Sequence, residues 1–294
     1  MANLVRAIAN DGSAVVTALD STQIVSKMEQ IHHTSAVITA ALGRLLTAAA
    51  MMGYQLKGEE QSLTLRLKGT GPCDTLIAVS DSHGNVKGYP SVPVVELPLN
   101  QYGKLDVSGA VGKQGMLYVI KDIGMKEPYI GQIPLVSGEI AEDITSYYAV
   151  SEQTPTVCAL GVLVAPDLSV LHAGGYLLQL LPGAAERTIV KIEETVKNIL
   201  SVTQMLSQGN TPKDLCLRLL EGLGPEIMEE QDCSYLCDCT KNRVEKALIS
   251  LGREELECMI QEGKNTEVCC SFCDRKYCFT PNDLKKLLQN QKNG

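Results

Sequence analysis

Two closely spaced cysteine pairs near the C-terminus constrain this chain more than any other feature. Cys237-Asp238-Cys239 is followed, after residues 240–269, by Cys270-Ser271-Phe272-Cys273. Structural zinc takes four tetrahedral ligands and accepts thiolates at about 2.3 Å, and each short spacer lets two sulfurs reach the same ion. The same sulfurs can also pair as two local disulfides. Cys237, Cys239, Cys270 and Cys273 are therefore candidate metal ligands in a site that either holds metal or oxidises.

The distribution of the other cysteines indicates reduced thiols. Of eleven cysteines, only Cys73, Cys158 and Cys216 precede residue 230. A secreted disulfide scaffold would spread its bridges through the fold, and the chain starts with MANLVRAIAND, which lacks the apolar segment of a secretory leader. We therefore expect a cytoplasmic protein in which the four paired cysteines hold one zinc ion (Zn2+) per chain in the reduced state.

Cys269 offers an alternative ligand because it would form a CxxxC pair with Cys273. The tighter CxxC loop is favoured, since neighbouring side chains of a strand point in opposite directions and Cys269 would then face away from Cys270. The remaining thiols are interpreted as bystanders in the tail, Cys233, Cys258 and Cys278, and as small apolar residues of the core, Cys73, Cys158 and Cys216.

Composition predicts a globular protein with at least two domains. The 294 residues are 45% apolar and 20% charged, enough to bury a sizeable core. The net charge of -8 opposes a general affinity for nucleic acid, which depends on clustered Lys and Arg. With 4% aromatic residues and no Trp, the chain also lacks a stacking surface for bases.

One segment, Ala36 to Met52, is apolar enough to suggest a membrane span. It carries Arg44 in its middle and is rich in Ala and Thr, so we interpret it as the buried helix of a soluble core. No membrane partner is expected.

Strand and helix patterns alternate through the first 181 residues and predict an α+β core domain. Leu63, Leu65 and Leu67 alternate with polar residues, as in a strand with one buried face. Residues 81–85 are typical of a hairpin turn between strands at 75–80 and 86–89. Further strands are predicted at 116–121, 157–164 and 176–181, and helices at 22–30, 34–52 and 139–148.

Residues 182–230 are predicted to form a helical connector. Apolar residues recur at helical spacing from Glu186 to Gln208, and a second helix is predicted to start at Pro212 with Thr211 as its cap. Two interpretations stay open: the apolar stripe packs on the core like any other, or it can be covered and uncovered.

Residues 231–294 are predicted to form a small zinc-binding redox-switch domain. Short helices are expected at 240–251 and 253–261, then a hairpin that carries cysteines, then a last helix after Thr280. About sixty residues bury little apolar surface, so metal must help to hold this domain together. No phosphate-binding loop, HExxH helix or Ser-His-acid pattern is visible, so no catalytic residue is predicted and we do not expect an enzyme.

The chain resembles the redox-regulated bacterial heat-shock holdase family, heat shock protein thirty-three, over nearly its whole length. The resemblance starts with the CxC and CxxC pairs and with Leu236 and Arg243-Val244 beside the first pair. Other family-like runs are Ala41-Leu42-Gly43-Arg44, Lys68-Gly69-Thr70-Gly71-Pro72, residues 138–144, Ser151-Glu152-Gln153, Ala173-Gly174-Gly175, Gln179 and Pro182-Gly183-Ala184. Cys233, Cys269 and Cys278 depart from the family pattern.

This resemblance implies an ATP-independent chaperone that is inactive when reduced and zinc-bound. It implies that oxidants, together with unfolding conditions, cause zinc release and pair Cys237 with Cys239 and Cys270 with Cys273. The connector then loosens, and the protein, as a homodimer, holds unfolding client proteins and prevents their aggregation.

Two other functions remain to be separated from this one. A thiol-disulfide oxidoreductase would place CxxC at the N-terminus of a helix, whereas residues 267–278 are typical of a hairpin. A zinc module that binds nucleic acid would need an excess of basic residues, but from Cys233 onward Lys and Arg nearly balance the acids.

Overall fold

Two five-stranded antiparallel sheets form the framework of the first of two units, which ends at Leu236; the second begins at Cys237. The computed structural model describes residues 2–290, with side chains to residue 288. The elements of the first unit are β1 (Ala2–Ala9), β2 (Ala14–Asp20), α1 (Thr22–His32), α2 (Ala36–Gly53), β3 (Ser62–Gly69), β4 (Thr75–Asp81), β5 (Val86–Pro90), α3 (Val107–Val111), β6 (Gly115–Asp122), β7 (Tyr129–Pro134), α4 (Ala141–Val150), β8 (Thr156–Val164), β9 (Val170–Leu180), α5 (Glu186–Asn198), α6 (Val202–Ser207), α7 (Pro212–Leu219) and β10 (Pro225–Cys233). The second unit contains α8 (Lys241–Ser250), α9 (Arg253–Gln261), β11 (Thr266–Cys269), β12 (Lys276–Phe279) and α10 (Pro281–Asn290).

The strand order is β10-β1-β2-β9-β8 in the first sheet and β5-β4-β3-β6-β7 in the second. Every pair of neighbours in both sheets is antiparallel. Helices pack on these sheets without regular strand-helix-strand crossovers, so the α+β class predicted from the sequence is confirmed.

Helix α2 lies at the centre of the first unit and packs against strands of both sheets. It is long and apolar enough to cross a membrane, but 89% of its 18-residue apolar window is buried inside the protein. Arg44 reaches out of this helix to the Glu139 carboxylate at 2.6 Å. The helix is thus part of the core, as its composition predicted.

Local sequence signals account for the second sheet. Leu63, Leu65 and Leu67 are all fully buried on one face of β3, which confirms the alternation seen in the sequence. The turn between β4 and β5 is closed by Asp81, whose Oδ1 accepts the N–H groups of His83 and Asn85 at 2.9 Å each. Gly84 in this turn has φ +77°, a conformation that glycine adopts without strain.

The prediction of one continuous helix from 186 to 208 was wrong. The chain is extended at Ile199 and Ser201, which separates α5 from α6. The Ser201 hydroxyl accepts the Gln204 N–H and the Gln204 side chain returns to the Ser201 N–H, a capping box that starts a new helix. Thr211 caps α7 with Pro212 at its first position, as predicted.

The apolar stripe of the connector packs on one face of the first sheet. Its buried residues are Ile192, Val202, Met205, Leu206, Leu215, Cys216, Leu219 and Leu220, and they meet side chains of β1, β2 and β9. The first sheet therefore covers the apolar stripe. This agrees with the first of the two interpretations of the sequence, in which the stripe packs on the core like any other.

Strand β10 was not predicted, because its sequence PEIMEEQDC is polar and mostly exposed. It pairs with β1 along its whole length and forms an edge of the first sheet, where acidic side chains hinder pairing with other chains. The domain boundary predicted between residues 230 and 231 falls inside this strand. The three-part division into 1–181, 182–230 and 231–294 stays a prediction.

The second unit has a small core of its own. Its buried side chains are Leu248, Leu256, Phe279, Leu284 and Leu287. The helices and the cysteine-bearing hairpin predicted for this region are present. So few buried side chains give little hydrophobic stabilisation. A large share of the stability of the second unit must therefore come from other interactions, such as metal–sulfur bonds.

Candidate metal centre

Two separate segments carry the four cysteines. Cys237 and Cys239 lie in the irregular segment between β10 and α8, just before Thr240, whose hydroxyl accepts the Arg243 N–H and caps α8. Cys270 and Cys273 lie in the turn between β11 and β12. The site thus has two arms, the CxC arm with Cys237 and Cys239 and the CxxC arm with Cys270 and Cys273. The helix cap at Thr240 fixes the first arm, and the pairing of β11 with β12 fixes the second.

The turn between β11 and β12 folds tightly around Cys270. Its carbonyl accepts the N–H groups of Cys273 at 3.3 Å and Asp274 at 2.9 Å, while its own N–H donates to the Arg275 carbonyl at 2.9 Å. Asp274 has φ +58°, a left-handed conformation that Asp and Asn tolerate better than most residues. This turn brings two sulfurs of one arm to the same side, as a metal knuckle requires.

The four sulfurs form one compact group, and every pair lies within 4.8 Å. Cys237 Sγ is 3.7 Å from Cys270 Sγ, and Cys239 Sγ is 3.4 Å from Cys273 Sγ. A tetrahedral ion with 2.3 Å bonds to sulfur would set these separations at about 3.8 Å. The residues thus have the number, chemistry and spacing to hold a metal ion.

All eleven cysteines are free thiols in this structure. A disulfide requires sulfurs about 2.05 Å apart, well below the separations in the cluster. The two short contacts join the CxC arm to the CxxC arm. The four sulfurs are therefore close to one another without being paired as disulfides.

The cluster sulfurs differ in acidity. Burial raises the pKa of the Cys237 thiol to about 12 and also raises the pKa of Cys273. Burial acts to raise the pKa of Cys239 as well, but hydrogen bonds from Tyr277 and from the other cluster thiols outweigh it and lower this pKa to about 7. Cys239 is therefore easier to ionise than Cys237, and metal binding must displace protons from the less acidic thiols.

Tyr277 is a neighbour of the cluster that the sequence analysis missed. Its hydroxyl lies 3.1 Å from Cys239 Sγ and 3.0 Å from the Cys239 carbonyl oxygen, and it can donate to either. The alternation of β12 is the signal that would have found it. Tyr277 and Phe279 share one face of the strand, and Phe279 is fully buried whereas Cys278 between them is exposed.

The other tail thiols lie outside the cluster. Cys269 is exposed, and its Sγ donates to Asp274 Oδ1 at 2.8 Å; this bond raises its pKa to about 11. Cys258 and Cys278 are exposed, and Cys233 is buried in the core of the first unit. Cys73, Cys158 and Cys216 are buried too, as expected for small apolar residues. Among residues 2–288, the set Cys237, Cys239, Cys270 and Cys273 is the group of thiols, imidazoles and carboxylates close enough to share an ion.

The sequence is similar to that of known chaperonins over nearly its whole length. The family model described as Hsp33 protein matches residues 2–280. A 33 kDa chaperonin of Thermoanaerobacter sp. (strain X514) is 46% identical over 286 residues, which cover 97% of each chain. A 33 kDa chaperonin of Acetivibrio thermocellus is 47% identical over 286 residues, which cover 97% of this chain and 96% of the relative.

A solved structure extends the similarity to the fold. The crystal structure of the 33 kDa chaperonin (heat shock protein 33 homolog) of Thermotoga maritima at 2.20 Å resolution superposes with a TM-score of 0.89. The two chains are 36% identical, and the superposition covers 100% of this chain and 99% of the other. The similarity therefore includes the segments that carry the four cysteines.

Proposed function

The chain belongs to the Hsp33 protein family, and we propose that it is a redox-regulated, ATP-independent chaperone that is switched by its cysteine cluster. Family membership supports a chaperone role, because the relatives are named chaperonins. The observation that carries the redox switch is the group of four free thiols within 4.8 Å of one another in a unit with a small core.

We propose that Cys237, Cys239, Cys270 and Cys273 hold one zinc ion per chain in the reduced protein. Four thiolates in a tetrahedron are a ligand set that zinc prefers. When bound, the ion would keep the sulfurs ionised and tie the two arms together. Structural zinc contributes about 10 to 16 kcal/mol in small modules, as much as the whole stability of many domains. The second unit would therefore depend on the metal for its fold.

Oxidation would convert the ligands into disulfides. Attack of a thiolate on hydrogen peroxide breaks the O–O bond, forms the S–O bond of a sulfenic acid and releases hydroxide, which a buffer acid protonates to water. A second thiolate then displaces the hydroxyl group as hydroxide, and an S–S bond forms. Each peroxide thus removes two electrons from one cysteine pair. We propose the pairs Cys237 with Cys239 and Cys270 with Cys273, and the cross-arm pairs are the alternative that disulfide mapping would reveal.

Activation would expose the apolar stripe of the connector. This stripe packs on the first sheet, so the connector helices must separate from that sheet before clients can bind. We propose that this packing loosens when the second unit has unfolded and heat at the same time weakens the docking of the connector. Buried apolar surface contributes about 25 cal/mol per Å² when it is covered again, which would drive the capture of unfolding proteins.

The proposed partners are unfolding client proteins and, in the oxidised state, a second copy of the chain. Reduction by cellular thiols would restore the metal site, since disulfides exchange through thiolates. We therefore propose a cytoplasmic location, because reducing thiols are maintained there. No enzymatic step is part of this function.

Heat-aggregation assays with and without peroxide, run alongside zinc release and disulfide mapping, test the proposal. We expect one zinc per reduced chain, zinc release with peroxide, and suppression of client aggregation only after oxidation. Reduced protein that is free of metal and equally protective would refute it.

The same samples test the two other functions. An oxidoreductase would turn over a disulfide substrate, but here the CxxC pair lies in a hairpin turn and not at a helix N-terminus, which disfavours this activity. A nucleic-acid binder would show steep salt dependence, which the net charge of -8 disfavours.

A further inference from the structure

We propose that Tyr277 is a positioning residue of the cysteine cluster, whose hydroxyl holds the Cys239 sulfur and slows its oxidation. The inference rests on the proposed zinc-dependent switch and adds to it a residue that sets how fast the switch responds. It concerns a side chain outside the CxC and CxxC pairs.

The register of the β11–β12 hairpin fixes the position of Tyr277. It pairs with Val268, and both side chains are half-buried beside the small core of the second unit. Its strand neighbours Lys276 and Cys278 point to the other, exposed face. The phenol ring is therefore held by packing, and its hydroxyl reaches Cys239 Sγ at 3.1 Å.

The surroundings of the hydroxyl favour donation to the sulfur. The Arg275 guanidinium is near the Tyr277 hydroxyl, and its positive charge makes this hydroxyl a stronger donor. The backbone carbonyl of Cys239, at 3.0 Å, is the competing acceptor. A charged sulfur is the stronger acceptor of the two, because hydrogen bonds to ionised groups are roughly twice as strong as neutral ones.

A hydrogen bond to a thiolate withdraws electron density from the sulfur. The sulfur then gives up its electron pair less readily to the peroxide oxygen, so formation of the S–O bond and cleavage of the O–O bond are slower. The same bond also restricts the orientation of the Cys239 sulfur within the cluster. Neighbours of metal ligands typically change metal affinity or activity by about 10- to 100-fold when they are removed.

The test compares Tyr277→Phe with Cys278→Ser in the full chain. The first variant keeps the ring and removes the hydroxyl, and the second alters the adjacent residue on the opposite face of the same strand. We expect zinc release by peroxide to be about tenfold faster in Tyr277→Phe, at the lower end of the effect of such neighbours, and unchanged in Cys278→Ser. With cobalt(II) in place of zinc, we expect the sulfur-to-metal charge-transfer band of Tyr277→Phe to move to lower energy, because the sulfur electrons are no longer stabilised by the hydroxyl.

Release of zinc to a chelator without peroxide separates positioning from simple destabilisation. If Tyr277→Phe speeds both kinds of release by the same factor and leaves the cobalt band in place, Tyr277 only supports the fold and the inference is wrong. A wild-type rate and band would also overturn it. A ring-fluorinated tyrosine at position 277, a stronger donor, must act in the opposite direction and slow zinc release by peroxide.

Cys270→Ser keeps this inference distinct from the proposed function. If wild-type protein binds neither zinc nor cobalt, the proposed switch itself fails. A second outcome is that wild-type protein binds the metal, that Cys270→Ser does not, and that Tyr277→Phe behaves as wild type. In that case the proposed switch stands and only the role of Tyr277 is wrong.

Discussion

Leu215→Ala is the sharpest test of the proposal that the connector supplies the client-binding surface. Leu215 lies in α7, is fully buried, and packs on the first sheet. A buried Leu→Ala change costs about 2 to 5 kcal/mol, because apolar contacts are lost and a cavity remains. If about 3 kcal/mol of this cost falls on the docking of the connector, the detached population rises roughly a hundredfold.

The assay is suppression of heat-induced client aggregation under reducing conditions with zinc present. We expect Leu215→Ala to protect clients without any oxidant, whereas wild-type protein does not. Amide hydrogen exchange over residues 186–233 should be faster in the variant. Zinc content should stay at one per chain, which would show that the variant is active without loss of metal from the cysteine cluster.

Leu217→Ala is the matched control, because Leu217 lies on the same helix and is 36% exposed. It removes the same atoms from the outer face and should change neither exchange nor reduced-state activity. The reasoning is refuted if Leu215→Ala accelerates exchange over the connector and the reduced protein still fails to protect clients. The client surface would then lie elsewhere.

Three further predictions concern the second unit. Cys270→Ser should lose zinc binding, whereas Cys258→Ser, an exposed thiol outside the cluster, should keep it; equal loss of metal in both would contradict the ligand assignment. A chelator added under reducing conditions should make amide exchange fast over residues 237–290 and leave β1 to β9 protected, and persistent protection of the second unit would show that its core suffices without metal. Asp274→Asn should lower the pKa of Cys269 from about 11, because the carboxylate that disfavours the thiolate is gone. Alkylation of Cys269 at about pH 8, followed by peptide mapping, should therefore become about tenfold faster or more. An unchanged alkylation rate would exclude this carboxylate as the cause of the raised pKa.

The elements that the sequence predicted are those whose local signals agree with their packing. The alternation of β3, the Asp81 turn and the Thr211 cap each express one local rule, and the structure follows all three. The cysteine cluster was predictable for a similar reason, because short spacers bring sulfurs together whatever the rest of the fold does. Ligand type and spacing are therefore stronger signals than any single helix pattern.

The missed features depend on partners far away in the sequence. Strand β10 is polar and has no alternation of its own, and it is a strand because β1 offers it an edge. The break at 199–201 was hidden because the apolar residues on its two sides both face the same sheet and continue one apparent stripe. Tyr277 was missed because its role depends on Cys239, 38 residues earlier.

The chain that leads into the cluster explains how oxidation and heat could act at different points. Ser234, Tyr235 and Leu236 follow β10 and bond to the second sheet. Val86 donates its N–H to the Ser234 carbonyl at 2.9 Å, and its carbonyl accepts the Leu236 N–H at 2.8 Å. The Ser234 N–H and hydroxyl both lie 3.1 Å from Asn85 Oδ1. This segment therefore ties the last strand of the first sheet to the edge of the second.

The strength of the hydrogen bonds made by residues 234–236 decides how far unfolding can spread from the cluster into the first unit. The Tyr235 hydroxyl accepts the Gly88 N–H at 3.3 Å, and with its bond to the Gly88 carbonyl at 2.8 Å the segment makes five hydrogen bonds of 3.1 Å or shorter. At about 0.5 to 1.5 kcal/mol net for each bond, the total is roughly 3 to 7 kcal/mol, and loss of metal from the second unit removes none of it. Oxidation alone should therefore leave the first unit folded, with its connector still docked. Heating weakens that docking directly, so full activation should require both the oxidant and conditions that unfold clients.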